Sequence, residues 1–210
     1  MFKNLVLILV LIAAALAGFV ATRPSEFLIV RSRTLAAPPQ VVFDHVNDLH
    51  KWAAWSPWER IDPGMRRQFS GAEAGPGAIY EWAGNEQVGE GRMTIVASQA
   101  PSSVTIRLEF LKPFPTTNTA QFDIVPGGLG TDVTWSMTGR NNFMAKAFTL
   151  FMNMDKLVGG DFEKGLAELD TVTVAATPPP PPPAPEPAPG EEGAPPAEAA
   201  PPAEAAPPTS

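Results

Sequence analysis

Four carboxylates in the first half of the chain are the side chains best suited to acid or base chemistry. Glu81 is the most informative of them, because it lies between Tyr80 and Trp82 in a segment with strand character, where alternate side chains face opposite sides of a sheet. If Trp82 faces outward, Glu81 faces an apolar interior and can act as a general acid or base; the opposite parity puts it in water. The four candidates are Glu59, Asp62, Glu81 and Glu90.

Thiol chemistry and metal binding have little support in the sequence. The chain contains no cysteine, which excludes thiolate nucleophiles and thiolate metal ligands. Its two histidines, His45 and His50, are five residues apart, a spacing that does not place two side chains on one face of a helix. We therefore predict no catalytic residue, no metal site and no cofactor.

Three tryptophans crowd the short stretch "KWAAWSPWERIDPG", residues 51–64. Exposed and coplanar, Trp52, Trp55 and Trp58 would form a platform for stacking sugars; buried, they would close one end of an apolar interior. Tryptophan brings a large apolar surface and one N–H that needs a partner when buried. We favour the structural interpretation and keep Trp55 and Trp58 as candidate contacts at the mouth of a ligand cavity.

The elements that position these side chains are those of an α+β domain, which we place at residues 25–175. Residues 26–36 alternate as a strand, and Pro38-Pro39 opens a helix at positions where a missing N–H costs nothing. From about residue 75 to residue 139, period-two alternation with short turns predicts an antiparallel meander with one buried face.

A long amphipathic helix is predicted to cover that face. Residues 143–172 carry apolar side chains at spacings of three, four and seven. Gly159-Gly160 should interrupt this helix, with Asp161 capping its second half. The glycines are read as a packing kink, or alternatively as the hinge of a lid.

The N-terminal segment, residues 1–22, is predicted to be a transmembrane anchor or a signal segment. Residues 4–21 are uncharged and almost wholly apolar, long enough to cross most of a bilayer. Lys3 and the small residues around Ala15-Leu16-Ala17 also fit a cleavable signal, but the apolar run continues beyond them. We favour an uncleaved single-pass anchor in the inner membrane, with the domain in the periplasm.

The C-terminal segment, residues 178–210, contains 15 of the 25 prolines and five glutamates, without an aromatic, basic or branched aliphatic residue. Such a composition cannot form a core, so we predict a disordered acidic spacer that can also bind a protein partner. The net charge of −7 comes largely from this tail. A mildly acidic domain without a basic cluster argues against nucleic acid as a partner.

Several blocks of the domain resemble the polyketide cyclase/dehydrase-like branch of the SRPBCC superfamily. They include "APPQVVFDHVNDLHKWAAWSPW", "FSGAEAGPGAIYEWAGNEQVGEGRMTI", "GTDVTWSMTG" and "FMNMDKLVGGDFEKGLAEL". The resemblance spans nearly the whole domain and implies a START-like, helix-grip fold, in which an antiparallel curved sheet wraps around a long C-terminal helix. It also implies a hydrophobic cavity between the sheet and that helix, but no fixed catalytic triad.

We therefore expect a membrane-anchored START-like domain that binds a lipid or another hydrophobic small molecule. A cyclase- or dehydratase-type enzyme that uses an inward carboxylate remains an alternative, as does an envelope interaction module without a ligand. The side chains expected to contact the ligand are Trp55, Trp58, Tyr80, Glu81, Trp82, Phe110, Trp135, Phe148 and Phe151.

Overall fold

A computed structural model describes residues 2–113, 115–148, 150 and 153–178. Seven strands form one antiparallel sheet in the order β1-β7-β6-β5-β4-β3-β2, and a C-terminal helix packs on its inner face. The elements are α1 (Phe2–Thr22), β1 (Glu26–Leu35), α2 (Pro39–Val46), two 3-10 turns (Leu49–Ala54 and Pro57–Arg60), β2 (Arg66–Gly71), β3 (Ala78–Ala83), β4 (Glu90–Gln99), β5 (Ser103–Lys112), β6 (Thr116–Gly127), β7 (Gly130–Arg140), α3 (Phe143–Phe148) and α4 (Met154–Ala176). This is the predicted helix-grip fold.

The sheet has the buried and exposed faces that the period-two pattern predicts. In β6, for example, Ala120, Phe122 and Ile124 are buried on the inner face. The opposite face of the same strand carries Thr119 and Val125, which are exposed. Because side chains alternate strictly along a strand, the apolar half of each strand fixes which face α4 covers.

Polar contacts align α4 along β1. The Arg31 guanidinium donates to the carboxylates of Asp155 (3.1 Å) and Glu163 (2.7 Å). Further along both elements, the backbone N–H of Ala36 donates to Asp170. The start of α4 therefore lies beside the middle of β1, and α4 runs from there toward the end of β1 at Leu35.

The helical segment differs from the prediction in two places. The single helix expected over residues 143–172 is two helices, because the Asn153 side chain accepts a hydrogen bond from the backbone N–H of Lys156 and caps a new N-terminus. Conversely, α4 continues through Gly159-Gly160 without interruption. Gly159 instead provides room for the Arg31 guanidinium, which a Cβ atom at that position would meet.

α1 is a helix long and apolar enough to cross a membrane, and it lies near the N-terminus, where a signal sequence passes the same test. Its C-terminal turn packs against α3: Val20 is buried there, and the Lys146 ammonium donates to the carbonyl oxygen of Ala21. The predicted disorder of the tail concerns residues 178–210, which, beyond Pro178, lie outside the described residues.

The two adjacent glycines of α4 should respond differently to alanine. Gly160→Ala should raise the free energy of unfolding by about 1 kcal/mol, because alanine is the better helix former and a Cβ atom at Gly160 meets nothing within 4 Å. Gly159→Ala should raise the free energy of unfolding by less, or lower it, because the added Cβ atom would displace the Arg31 guanidinium from Asp155 and Glu163. Urea denaturation of the two variants measures the difference; equal stabilisation would show that Arg31 moves aside without cost.

Candidate ligand-binding site

The inner face of the sheet is buried at one end and only partly covered at the other, where Phe27, Trp82, Leu108 and Phe110 are partly exposed beside buried neighbours. The partly covered end is the edge at which β1, β4 and β6 begin and β3, β5 and β7 finish; we call it the open end. One row of directly paired residues crosses it from β1 to β3, with three further residues beyond the row. The row is Phe27, Gly139, Asn118, Leu108, Met93 and Tyr80, and the residues beyond it are Trp82, Gly91 and Phe110.

At the other end, an aromatic cluster fills the space beneath α4. Trp135 stacks face to face on Phe162, with ring centroids 4.0 Å apart and an interplanar angle of 5°. Its other face stacks on Phe122 at 4.7 Å. Trp52 and Trp55 meet both Phe122 and Trp135 edge to face at 5.7–6.3 Å. These ring contacts make the part of the inner face beneath α4 a packed aromatic core.

The tryptophans of the 51–64 stretch belong to the core packing, in agreement with the structural interpretation of the sequence, and the ligand contacts of Trp55 and Trp58 stay a prediction. Trp52 and Trp55 are buried, and their indole N–H groups donate to the backbone carbonyls of Val46 (3.0 Å) and His45 (3.4 Å). Trp58 is half-buried and meets Trp135 and Phe162 edge to face. A coplanar sugar platform does not form.

The aromatic side chains of the open end form a smaller, partly accessible group. Trp82 stacks on Tyr80 with a centroid distance of 6.2 Å and meets Phe110 edge to face at 5.9 Å. Its N–H donates to the carbonyl of Val88 (3.2 Å). The ring lies over Gly91, where a Cβ atom would overlap it, so the glycine lets a large aromatic lie flat on the sheet.

A buried carboxylate lies beside this group. Glu59, from the second 3-10 turn, accepts a hydrogen bond from the Tyr80 hydroxyl on one oxygen and from the Arg67 guanidinium on the other, both at 2.6 Å. Burial, together with the bond to Glu59, raises the pKa of the Tyr80 phenol, and the same carboxylate raises the pKa of Arg67. Both oxygens of Glu59 therefore have donors, and its charge is paired.

The side chain of Glu81 lies on the outer, solvent-facing side of the sheet. Trp82 faces inward, so Glu81 lies on the outer face, where it pairs with Arg92 at 2.7 Å. Trp82 faces inward because Gly91, on the neighbouring strand, has no side chain and leaves room for the Trp82 ring. The inward carboxylate of this region is Glu59, which the sequence offered as an acid–base candidate but not as a site residue.

The open end also holds a buried amide without a partner. Asn118 is 6% exposed, and its Oδ1 atom has no hydrogen-bond partner in the described structure. It sits between Leu108 and Gly139, with apolar neighbours in the adjoining rows. The Trp135 indole N–H, deeper on the same face, is also unpartnered. Each such group costs about 1–3 kcal/mol relative to a satisfied one.

Comparison with known proteins fits this geometry. Residues 26–174 match the family model described as "Polyketide cyclase / dehydrase and lipid transport". The chain belongs to this family. Its fold is accordingly the START-like ligand-binding fold that the sequence blocks indicated. No curated protein matches the chain significantly.

Solved structures share this fold at low sequence identity. Protein CV1439 from Chromobacterium violaceum is 15% identical with a TM-score of 0.52, over 70% of this chain and 96% of that one. Mll3558 from Rhizobium loti is 18% identical with a TM-score of 0.51, over 70% and 96%. MLL2253 from Mesorhizobium loti is 14% identical, also with 0.51, over 72% and 99%.

The structure brings together only some of the residues that the sequence predicts to contact the ligand. Tyr80, Trp82 and Phe110 meet at the open end, whereas Trp55 and Trp135 belong to the aromatic cluster. The side chain of Phe148 and the whole of Phe151 lie outside the described residues. No group of three or more histidine, cysteine or acidic side chains in the described part of the chain is arranged to hold a metal.

Sequence reasoning did not offer Phe27, Leu108 or Asn118, which the structure places at the open end, as candidate site residues. The signal for Asn118 was present, because extending the inward series Ala120, Phe122 back by two residues gives Asn118, a polar residue on an apolar face. What the sequence did not contain was the position where α4 starts, which decides how far along the strands the inner face is covered.

Tyr80 is the sole tyrosine of the chain, so its ionisation can be followed directly. Its raised pKa keeps the phenol neutral in the folded state, whereas the unfolded chain ionises at about pH 10. The contribution of Tyr80 to stability is therefore complete below about pH 10 and falls above it by about 1.4 kcal/mol per pH unit. In an alkaline titration, tyrosinate absorbance should appear only together with loss of circular dichroism. Tyrosinate formed in the folded state would contradict a buried Tyr80–Glu59 bond.

Proposed function

We propose that this protein is a membrane-anchored carrier or receptor that binds a lipid or another hydrophobic small molecule at the open end of the sheet. In this proposal α1 is an uncleaved anchor in the inner membrane and the domain lies in the periplasm. The observation that carries the binding proposal is the group of partly exposed apolar side chains on the inner face, Phe27, Leu108, Trp82 and Phe110, beyond the part that the aromatic cluster fills.

The physical basis for binding is removal of apolar surface from water. Burial of a leucine or phenylalanine side chain contributes about 1.5–3 kcal/mol. The partly exposed side chains of the open end contribute less than this each, so the binding free energy comes from several of them together with burial of the ligand's own apolar surface, without a charged contact. The enclosed cavity expected between sheet and α4 is replaced, in this proposal, by a site at the open end, because tryptophan and phenylalanine rings occupy the space beneath α4.

The alternatives are less well supported. An enzyme that uses an inward carboxylate would employ Glu59, but both of its oxygens already accept short hydrogen bonds, from Tyr80 and Arg67. An interaction module without a ligand does not require partly exposed apolar side chains on the inner face of the sheet. The family description includes lipid transport, which agrees with the binding proposal.

Leu108 and Leu28 provide a matched test. Both are leucines in strands, but Leu108 lies half-buried on the inner face and Leu28 is exposed on the outer face. Leu108→Gln should raise the Kd for a dansyl-labelled fatty acid by about tenfold, the equivalent of about 1.4 kcal/mol, and Leu28→Gln should leave it unchanged. Fluorescence titration of the purified chain measures both. Equal affinities in all three proteins would place the probe elsewhere and overturn the proposed site.

The unpartnered Asn118 predicts a preference for ligands with a hydrogen-bond donor. Asn118→Leu should raise the free energy of unfolding by about 1 kcal/mol or more, because it removes a buried unsatisfied amide. In the unmodified protein, dodecanol should displace the probe at lower concentration than dodecyl methyl ether, since only the alcohol donates a hydrogen bond. In the Asn118→Leu variant the two compounds should displace the probe at the same concentration. A variant that is more stable yet still prefers the alcohol would show that Asn118 does not contact the ligand.

A further inference from the structure

The open end of the sheet is also the end nearest to α1. α1 ends at Thr22 and β1 begins at Glu26, so three residues join them. Glu26 pairs with Arg140 at the end of β7, and α3 follows that strand and packs against the last turn of α1. The opposite edge, with Leu35 and the β6–β7 turn, is ten residues of extended strand away, roughly 30 Å.

Apolar side chains are exposed at this near edge. On α3, Phe143 and Met144 are 51% and 53% exposed, although the other side of the helix is packed. Leu111, at the end of β5 on the same edge, is also exposed. Exposed apolar residues that cluster beside a membrane-crossing helix are typical of elements that lie in the interfacial layer of the bilayer.

We propose that α3 is embedded in the surface of the membrane that holds α1, so that the open end of the sheet faces the lipid directly. A lipid then passes between the bilayer and the inner face of the sheet without crossing bulk water. This inference rests on the proposed function, because it requires α1 to be an anchor. It adds the orientation of the domain, fixed by the packing of α3 on α1, and the route of the ligand.

The cysteine-free sequence allows a direct test by single-cysteine labelling. Ile12 in α1, Met144 in α3 and Leu129 at the far β6–β7 turn are all exposed. Each is replaced in turn by cysteine in the full chain, labelled with the fluorophore NBD, and reconstituted in phosphatidylethanolamine/phosphatidylglycerol vesicles. Spin-labelled lipids that carry the quencher near the headgroup or deep in the acyl chain then report the depth of each position.

We expect the deep quencher to act at Ile12, the shallow quencher at Met144, and neither at Leu129. Quenching at Ile12 without quenching at Met144 would overturn this inference and leave the proposed anchor and ligand site intact. No quenching at Ile12 would overturn the anchor and, with it, the inference. Quenching at Leu129 equal to that at Met144 would mean that the domain has no fixed orientation, which also contradicts the proposal.

A second experiment distinguishes the insertion of α3 into the membrane surface from ligand binding. Met144→Glu should leave the Kd for the dansyl-labelled fatty acid in detergent unchanged, because Met144 is outside the site, but should slow by severalfold the uptake of that probe from vesicles. Leu129→Glu, which places the same charge at the far end, should alter neither. Unchanged uptake in the Met144 variant would contradict a direct passage from the bilayer.

Discussion

The stack of Trp135 on Phe162 is the contact on which the rest of this structure depends. It joins the middle of β7, the neighbour of the edge strand β1, to the middle of α4. Gly165, one helical turn further, lets the helix approach because a Cβ atom there would meet the Trp135 ring. Phe122 also stacks on Trp135, and Trp52 and Trp55 meet both rings edge to face. Among the described residues, aromatic side chains therefore pack the inner face beneath α4, and its partly exposed side chains lie toward the open end.

Ion pairs determine the direction of α4 rather than its stability. Arg31 pairs with Asp155 and Glu163, and Arg60 pairs with Glu168, all with at least one exposed partner. Exposed pairs of this kind contribute little free energy. They do, however, match specific turns of α4 to specific residues of β1 and the second 3-10 turn, so the helix starts beside Arg31 and leaves Phe27 and its neighbours partly uncovered.

Much of the fold could be predicted from the sequence because strand alternation is a local property. The inward positions of β5, β6 and β7 follow from counting by two, and Pro38-Pro39 correctly starts α2. The parity of Trp82 and Glu81 could not be predicted, since both residues fit either face locally. The choice depends on Gly91, which lies on the neighbouring strand and makes a slot for the ring. The break at Asn153 was missed because the apolar spacing continues across it.

Two buried polar side chains near the open end, Glu59 and Asn118, differ in how far the fold satisfies them. Glu59 is fully satisfied, with a tyrosine and an arginine as donors, so it is accounted for by folding alone. Asn118 is not: it is buried among apolar residues with its oxygen unpaired, and a leucine of similar volume would fill the position at lower free energy. Stable proteins tolerate such a group where another requirement needs it. In the proposed function a ligand donor supplies that requirement at Asn118, which would account for a polar residue at a position that packing alone would fill with leucine.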